Sequence, residues 1–531
     1  MRIARPSPRQ GAVVRRSGRR AAGAAAIAGC AAVLLGAAAS GAPAAPAIRA
    51  GAAAGTVPGA PAAQTVTAGV SRSLGEPAAA ASSVAGAVTA TTFSSGVARV
   101  RVWTRPAQGG QWADAGLMLP PGFTQSYDSA AAASPGGPVF VVAGVAPGGS
   151  ACITGGSVAI ARVLPGGRLS AATLVSDQRG SGYFDDRPAV AAGSGGTVWV
   201  AWSEGAGADA CQPVGTGDRL VVAVSHDGGR TFGAPVTMPA AGGDAAFGAR
   251  LTPLGKDRVA VNWTESAGDG REKVLVSVLG PGGQVLPPQT VLLGGRPPLT
   301  LPGASFYDFP AGDITALPGG GLMVAAPLWQ GGRSVIGVAV GRPGSSWQTS
   351  AVVPPPGSDL LLPALGVTSA SQVRLLCAVH HRVDDRLGYA SALLSVSPGR
   401  DADQAAGLAP VTPAPAGPGF YEIGEELFLT RSPGGLLSAV VVAGRGGARL
   451  ETESWAAPPA SPPPSPAASH AATPRPGASH RGDAARDGRA VNAAHQGPGW
   501  AGPLLAALIL VTAAALATAW AARRPGGRIR R

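Results

Sequence analysis

Between residues 97 and 455 the chain alternates between apolar and polar positions. "TVWVAW" (197–202), "RLVVAV" (219–224), "RVAVNW" (258–263), "KVLVSV" (273–278), "SVIGVAV" (334–340) and "LLSAVVV" (436–442) are the clearest runs. A period of two is that of a β-strand with at least one face buried. Gly and Pro punctuate the runs, and hardly any segment there carries a helical stripe. The pattern predicts an all-β domain.

The strands repeat as a set. Val198, Val200, Trp202, Ser203 and Glu204 align with Val259, Val261, Trp263, Thr264 and Glu265, each pair 61 residues apart. Glycine turns recur as well, at 108–110, 165–167, 227–229, 281–283, 343–345 and 398–400, with middle residues 57, 62, 54, 62 and 55 apart. Gly suits these turns because a tight hairpin needs positive φ at its centre. A period of roughly 58 residues with four strands per unit points to a β-propeller. Six turns predict six blades over 97–455. Strands from both ends of this region are expected to close the ring and remove its last open edge. Residues 98–106 and 448–455 compete for the third strand of that closing blade.

The flanks differ in composition. Arg15 to Arg20 ("RRSGRR") precede an apolar run and small residues, the layout of a signal peptide over 1–42. Paired arginines hint at twin-arginine export, and Cys30 in "IAGC" fits a lipoprotein box, so the export route stays open. Residues 43–96 read as a low-complexity Ala/Gly/Ser/Thr segment, and 456–499 as an extended, disordered Pro/Ala/Ser-rich stalk. Residues 500–522 carry no charge and are long enough for a transmembrane helix, with Trp500 and Trp520 near its ends. The tail 523–531 has five arginines, which places it in the cytoplasm and the propeller outside the cell, on a single-pass anchor.

Charge then excludes one class of partner. The net charge is +13, yet residues 90–455 hold 24 Lys+Arg against 26 Asp+Glu. The basic excess lies in the tails, whereas a nucleic-acid binder carries it on the folded face. No nucleic-acid partner is expected. The Ala, Gly, Pro and Arg content, with two Lys, resembles that of high-GC actinobacterial secreted proteins.

"SHDGGRTF" (225–232) resembles the Asp box, S-x-D-x-G-x-T-[WF], of the sialidase-like (BNR-repeat) propellers. Ser225, Asp227, Gly229, Thr231 and Phe232 match it in register. The resemblance implies a structural turn on the face opposite an active site. It also implies where a site would be: an arginine triad for a carboxylate, a Tyr nucleophile with a Glu partner, and an Asp acid/base. Arg187 and Arg250, with Arg382 as third, are the candidate arginines. Tyr421 with Glu425 or Glu426 could mimic the Tyr/Glu pair, and Asp128 or Asp186 the acid. The F-R-I-P motif of that family is absent, since "DDRP" lacks a residue between Arg and Pro.

The same stretches stand out without the resemblance. "QSYDSA" (125–130), "GYFDDRPA" (182–189), "SFYDFPAGD" (305–313) and "GFYEIGEE" (419–426) each set an aromatic beside an acid, and "DAAFGAR" (244–250) completes the set. Placed where one blade enters the next, they would gather Asp128, Asp185, Asp186, Arg187, Arg250, Tyr307, Asp308 and Glu422 around one funnel as ligand-binding residues. Acids and aromatics at such positions also serve as inter-blade hydrogen bonds. Paired carboxylates about 5 Å apart would suit glycoside hydrolysis.

Cys152 and Cys211 fall in neighbouring loops and are expected to form a disulfide in an exported protein. Cys377, in "VRLLCAV", reads as an inert core residue. His380 and His381 are consecutive on a strand and point to opposite faces. With Asp384 and Asp385 they lack a metal-ligand spacing, so neither a metal nor a cofactor is expected. The leading expectation is a non-catalytic surface module that binds a glycan, peptide or envelope protein. The alternative is a sialidase-type exo-glycoside hydrolase.

Overall fold

A computed structural model describes residues 61–456, apart from 68–73, 95–96, 108, 149–154, 207–217, 243–245, 268, 298–311, 370–371, 385, 397–407, 413–426 and 445–446. The signal segment, the stalk, residues 500–522 and the tail therefore lie outside the described residues. Among the described residues no helix is long and apolar enough to cross a membrane.

The fold is all-β and propeller-like. Among the described residues, twenty-eight short strands form six antiparallel sheets, five of four strands and one of eight. The eight-stranded sheet is two four-stranded meanders joined by a single residue pair, Gly295 with Trp329. The strands thus make seven four-stranded meanders. Six run consecutively, over 74–117, 125–174, 183–237, 246–295, 313–352 and 358–412. The seventh takes three strands from 429–456 and its outer strand, Ala62–Thr65, from the other end of the region.

Six blades were expected, and the reason for the difference is topological. The glycine turns at 165–167, 227–229, 281–283 and 343–345, and the glycines at 109–110, each fall between the third and fourth strands of one consecutive meander, while 398–400 lies outside the described residues. The seventh meander has no such turn, because its third and fourth strands come from opposite ends of the chain. The two strands expected to compete for one place take the third place in different meanders: Val97–Pro106 in the first and Gly447–Ala456 in the seventh.

The first meander also begins inside the segment read as low complexity. Its first two strands are Leu74–Ala81 and Ala85–Ser94. "LGEPAAAA" offers little hydrophobic contrast, yet Ala78, Ala79 and Ala80 are fully buried. Ala79 borders the cavity that the first strands share.

First strands pack on first strands around the molecule. Leu74–Ala81 contacts Gln125–Ala133, which contacts Tyr183–Ala192, then Ala246–Pro253, Asp313–Ala316, Ser358–Ser369 and Leu429–Ser432, and the last returns to Leu74–Ala81. A cavity of about 480 Å³ touches all seven of these meanders, from Ala79 and Ala131 through Ala191, Thr252, Thr315 and Gly366 to Thr430. Between meanders the core is aliphatic with large aromatics. Trp202, in the core between the second and third meanders, and Trp263, between the third and fourth, are completely buried.

The repeated V-x-V-x-W-[ST]-E pattern has a structural use. It forms the second strands of the third and fourth meanders. In each, the terminal Glu holds the chain arriving from the meander before. Glu204 accepts from Gln178 Nε2 at 3.1 Å. Glu265 accepts the Ala241 backbone N–H at 3.1 Å and Trp263 Nε1 at 3.0 Å.

Candidate functional site

Topology gives the ring two ends. At one end the first strands begin, here called the upper end. At the other lie the turns that join first to second and third to fourth strands.

"SHDGGRTF" lies at the lower end, between Arg219–Ser225 and Val236–Thr237 of the third meander. Ser225 Oγ accepts the Gly229 N–H at 2.8 Å and donates to Asp227 Oδ1 at 2.8 Å. Asp227 also accepts the N–H of Arg230 at 2.9 Å and of Thr231 at 3.0 Å, and the Thr231 hydroxyl at 2.6 Å. These donors, the Thr231 hydroxyl first, hold the Asp227 carboxyl far below the usual range. Phe232 packs into the core between the second and third meanders. Gly229 has φ +74°, and a Cβ there would meet Phe140 Cε1 at 3.1 Å. Gly229→Ala is therefore expected to destabilise the fold by about 1–2 kcal/mol, from the left-handed backbone alone. Thermal unfolding of the variant measures it, and an unchanged midpoint contradicts that account.

The upper end is built on a repeated irregularity. Five first strands skip one register position beside a residue of positive φ: Glu76 (52°), Asp128 (41°), Arg187 (50°), Gly248 (67°) and Leu362 (49°). A bulge re-aims side chains that a regular strand would send between the sheets. Left-handed backbone at non-glycine residues collects at sites where the surroundings enforce it. Three of the five precede proline, in "EPA" (76–78), "RPA" (187–189) and "LPA" (362–364). That triplet was the available sequence signal for these positions, and for Glu76 the only one.

Two of the bulged strands bring carboxyls together. Asp128 and Asp186 stand on the first strands of the second and third meanders, close enough for the Asp128 carboxyl to act on that of Asp186. Burial, then the charge and hydrogen bond of Asp128, push the Asp186 carboxyl well above the usual range, against the opposing pull of Arg187. The Asp186 side chain remains 28% exposed, so the pair is recessed but reachable. Arg187 Nε lies 3.9 Å from Asp186 Oδ2, and its own side chain is almost covered. Asp218, at the start of the third strand, is raised to about 6 by burial and then by Asp186. Sequence reading passed over both Glu76 and Asp218.

Tyr127 braces the pair from below. Its hydroxyl donates to the Asp185 carbonyl at 2.9 Å, and its ring stacks on Phe184 at 5.7 Å. Asp185 itself turns away from the pair. Its carboxylate is fully buried and accepts from Ser176 Oγ at 2.5 Å and Gln178 Nε2 at 3.2 Å. Burial raises it to about 7, with Glu204 adding to the shift and the Ser176 and Gln178 bonds opposing it. Asp185 is thus part of a latch between the second and third meanders, where the sequence reading made it a ligand contact.

The expected arginine clamp does not assemble from these residues. The Arg250 guanidinium stacks 4.2 Å over Phe428, on the axial side of the fourth meander. Arg382 is held by Asp359, with Nε donating to Oδ2 at 2.7 Å, and lies 5.5 Å over Trp329. Tyr307, Asp308, Tyr421, Glu422, Glu425 and Glu426 lie outside the described residues.

The disulfide is corrected. No disulfide is found, and Cys377, deep in its strand, is the free cysteine among the described residues. Cys152 and Cys211 lie outside those residues, and the bond is dropped from the description of the protein. Burial pushes the Cys377 thiol up to about 12, as befits a core side chain. His380 Nδ1 sits 3.3 Å from Asp359 Oδ2, and His381 Nδ1 sits 3.2 Å from Ser358 Oγ. Among the described residues no group of three His, Cys, Asp or Glu could hold a metal ion.

No family model matches the chain, and no curated protein matches it. Solved structures do. A Dyadobacter fermentans protein of unknown function is 12% identical at a TM-score of 0.41, over 62% of this chain and 94% of that one. A Penicillium chrysogenum α-L-arabinanase is 11% identical at 0.38, over 72% and 92%. A Trypanosoma rangeli sialidase is 10% identical at 0.37, over 72% of this chain and 55% of the sialidase. Overlaps this loose transfer no residue role.

Proposed function

We propose that the seven meanders close into a seven-bladed propeller whose upper end acts on saccharides, with the Asp128–Asp186 pair as its working group. Closure is supported by the cyclic packing of first strands and by one axial cavity bordered by all seven meanders. The observation that carries the function is the recessed carboxyl of Asp186, 28% exposed and pushed well above the usual carboxylate range by burial and by Asp128 beside it.

A carboxyl held protonated beside a second carboxyl is the arrangement that glycoside hydrolysis uses. Asp186 would give its proton to the glycosidic oxygen as the C–O bond breaks. Asp128 would face the positive charge that develops at the anomeric carbon. Water would then add to that carbon and return a proton to the pair. The Arg-clamped, Tyr-nucleophile form of this chemistry has no support from Arg382, which Asp359 occupies.

Residues 500–522 and the positive tail support the reading of a surface protein displayed outside the cell on a Pro-rich stalk.

The test is the purified full chain in detergent against a glycan array and a panel of aryl glycosides, an aryl sialoside included. Release of the aryl group from any member supports the hydrolase. Array binding with no release supports a lectin-like module. Neither binding nor release excludes a saccharide site.

A further inference from the structure

We propose that Glu76 is a positioning residue that holds Asp128 against Asp186. The inference rests on the reading of that pair as the working group. It comes from a residue in the Ala-rich segment, three sheets of hydrogen bonding and one repeated bulge.

One carboxylate oxygen of Glu76 makes two bonds to different meanders. Oε2 accepts the Thr91 hydroxyl at 2.7 Å, within the first meander. The same oxygen accepts the Asp128 backbone N–H at 3.0 Å, in the second. Asp128 is the residue skipped in its own strand pairing, since Tyr127 pairs with Gly144 and Ser129 with Ala143. Glu76 supplies the acceptor for its N–H. The Glu76 carbonyl also accepts from Ser129 Oγ at 3.4 Å. Glu76 therefore grips the chain on both sides of the Asp128 Cα, and Asp128 in turn faces Asp186. The line of contact is Thr91, Glu76, Asp128, Asp186, across three meanders.

The fold does not need an acid at this bulge. Leu362, followed by Pro363, forms the same left-handed bulge in the sixth meander with an apolar side chain. What the carboxylate adds at position 76 is the bond to the next strand. A glycine at 248 makes the same point from the other side, since that bulge has no side chain at all.

The groups around Asp186 are Asp128 and Tyr127 from the second meander, Arg187 on its own strand, and Asp218 beside the third strand of its meander. Of these, Glu76 bonds to Asp128. Its removal should let Asp128 withdraw, and Asp186 should then lose its proton more easily.

The readout needs no ligand. Melting midpoints of the full chain are followed from pH 4 to 9, and the difference from Asp186→Asn isolates the Asp186 step. In Glu76→Ala the step is expected to move down by about one pH unit, a tenfold loss of proton affinity. Glu76→Gln keeps an acceptor oxygen for both donors and is expected to restore the step. A step unmoved in Glu76→Ala, or moved equally by Ala and Gln, overturns the positioning role. Should Glu76→Ala fail to fold, Thr91→Val decides: a lowered step supports the role and an unmoved step overturns it. The saccharide reading fails separately, in the glycan panel, whatever the Asp186 step does.

Discussion

Asp186→Asn is expected to abolish any turnover while leaving the fold and saccharide binding largely in place. The amide has the shape of the protonated acid and can still donate a hydrogen bond to Asp128, but it has no proton to give. General-acid catalysis contributes about 10²–10⁴-fold. An aryl glycoside that the wild type cleaves should therefore be cleaved at least about 100-fold more slowly, with KM little changed. Thermal stability should not fall, because the variant removes a carboxyl that resists ionising where it sits. Asp128→Asn is the companion variant, since it removes the partner charge that raises Asp186 and should shift the alkaline limb of the pH profile downward. Undiminished cleavage by Asp186→Asn would sink the proposed chemistry.

The second large effect is on stability against pH. Asp185 is raised to about 7 and Glu453 to about 7, each by burial first. Glu453 is 1% exposed, and neither of its carboxylate oxygens has a hydrogen-bond partner. A carboxyl whose folded pKa lies above its unfolded value binds its proton more tightly in the folded state. Its contribution is fully present below about pH 4 and is lost as pH rises to about 7. The protein should therefore be more stable at pH 5 than at pH 8.

For Asp185 the span is about 4 kcal/mol, taking about 1.4 kcal/mol per pH unit. Denaturant unfolding at pH 5 and pH 8 checks the slope. Glu453→Gln should flatten part of it at little cost, since no hydrogen bond is broken. Asp185→Asn should flatten the rest but lose some of the bonding to Ser176 and Gln178. A wild type that gains stability from pH 5 to pH 8 contradicts the assignment.

Both predictions depend on groups that were visible in the sequence only as letters. "YFDDRP" announced an unusual stretch, and Asp186 and Arg187 do stand at the axial end. Two neighbouring aspartates nevertheless have opposite surroundings. Asp185 locks two sheets together, and Asp186 meets Asp128 from the next meander. A one-residue step along a strand reverses the face a side chain presents, and a bulge between Asp186 and Ala189 changes the aim again. Alternation alone could not decide which of the two acids stays near Asp128.

Glu76 marks a second limit. It sits among alanines in a segment whose composition resembles a linker. Low hydrophobic contrast hid the first meander, so the first strand and its acid were not considered. Alanine is nevertheless enough for a buried strand here, since Ala78, Ala79 and Ala80 are fully covered.

By itself, the sequence determined a good deal. The period of two established strands, and the recurrent glycine turns established four-stranded units at a regular spacing. The Asp-box stretch carried its own local bonds, because every donor and acceptor in it lies within seven residues. The charge distribution set the folded region apart from its basic tails. All of these are local or additive properties of the chain.

Tertiary structure alone decided how many meanders there are, which ends meet, and which carboxyls touch. Residues 62–65 pair with 451–454 across nearly the whole folded region. Asp128 meets Asp186 from a neighbouring sheet. Contacts of that kind join segments that are far apart in the sequence, and no local pattern encodes where the last strand comes from.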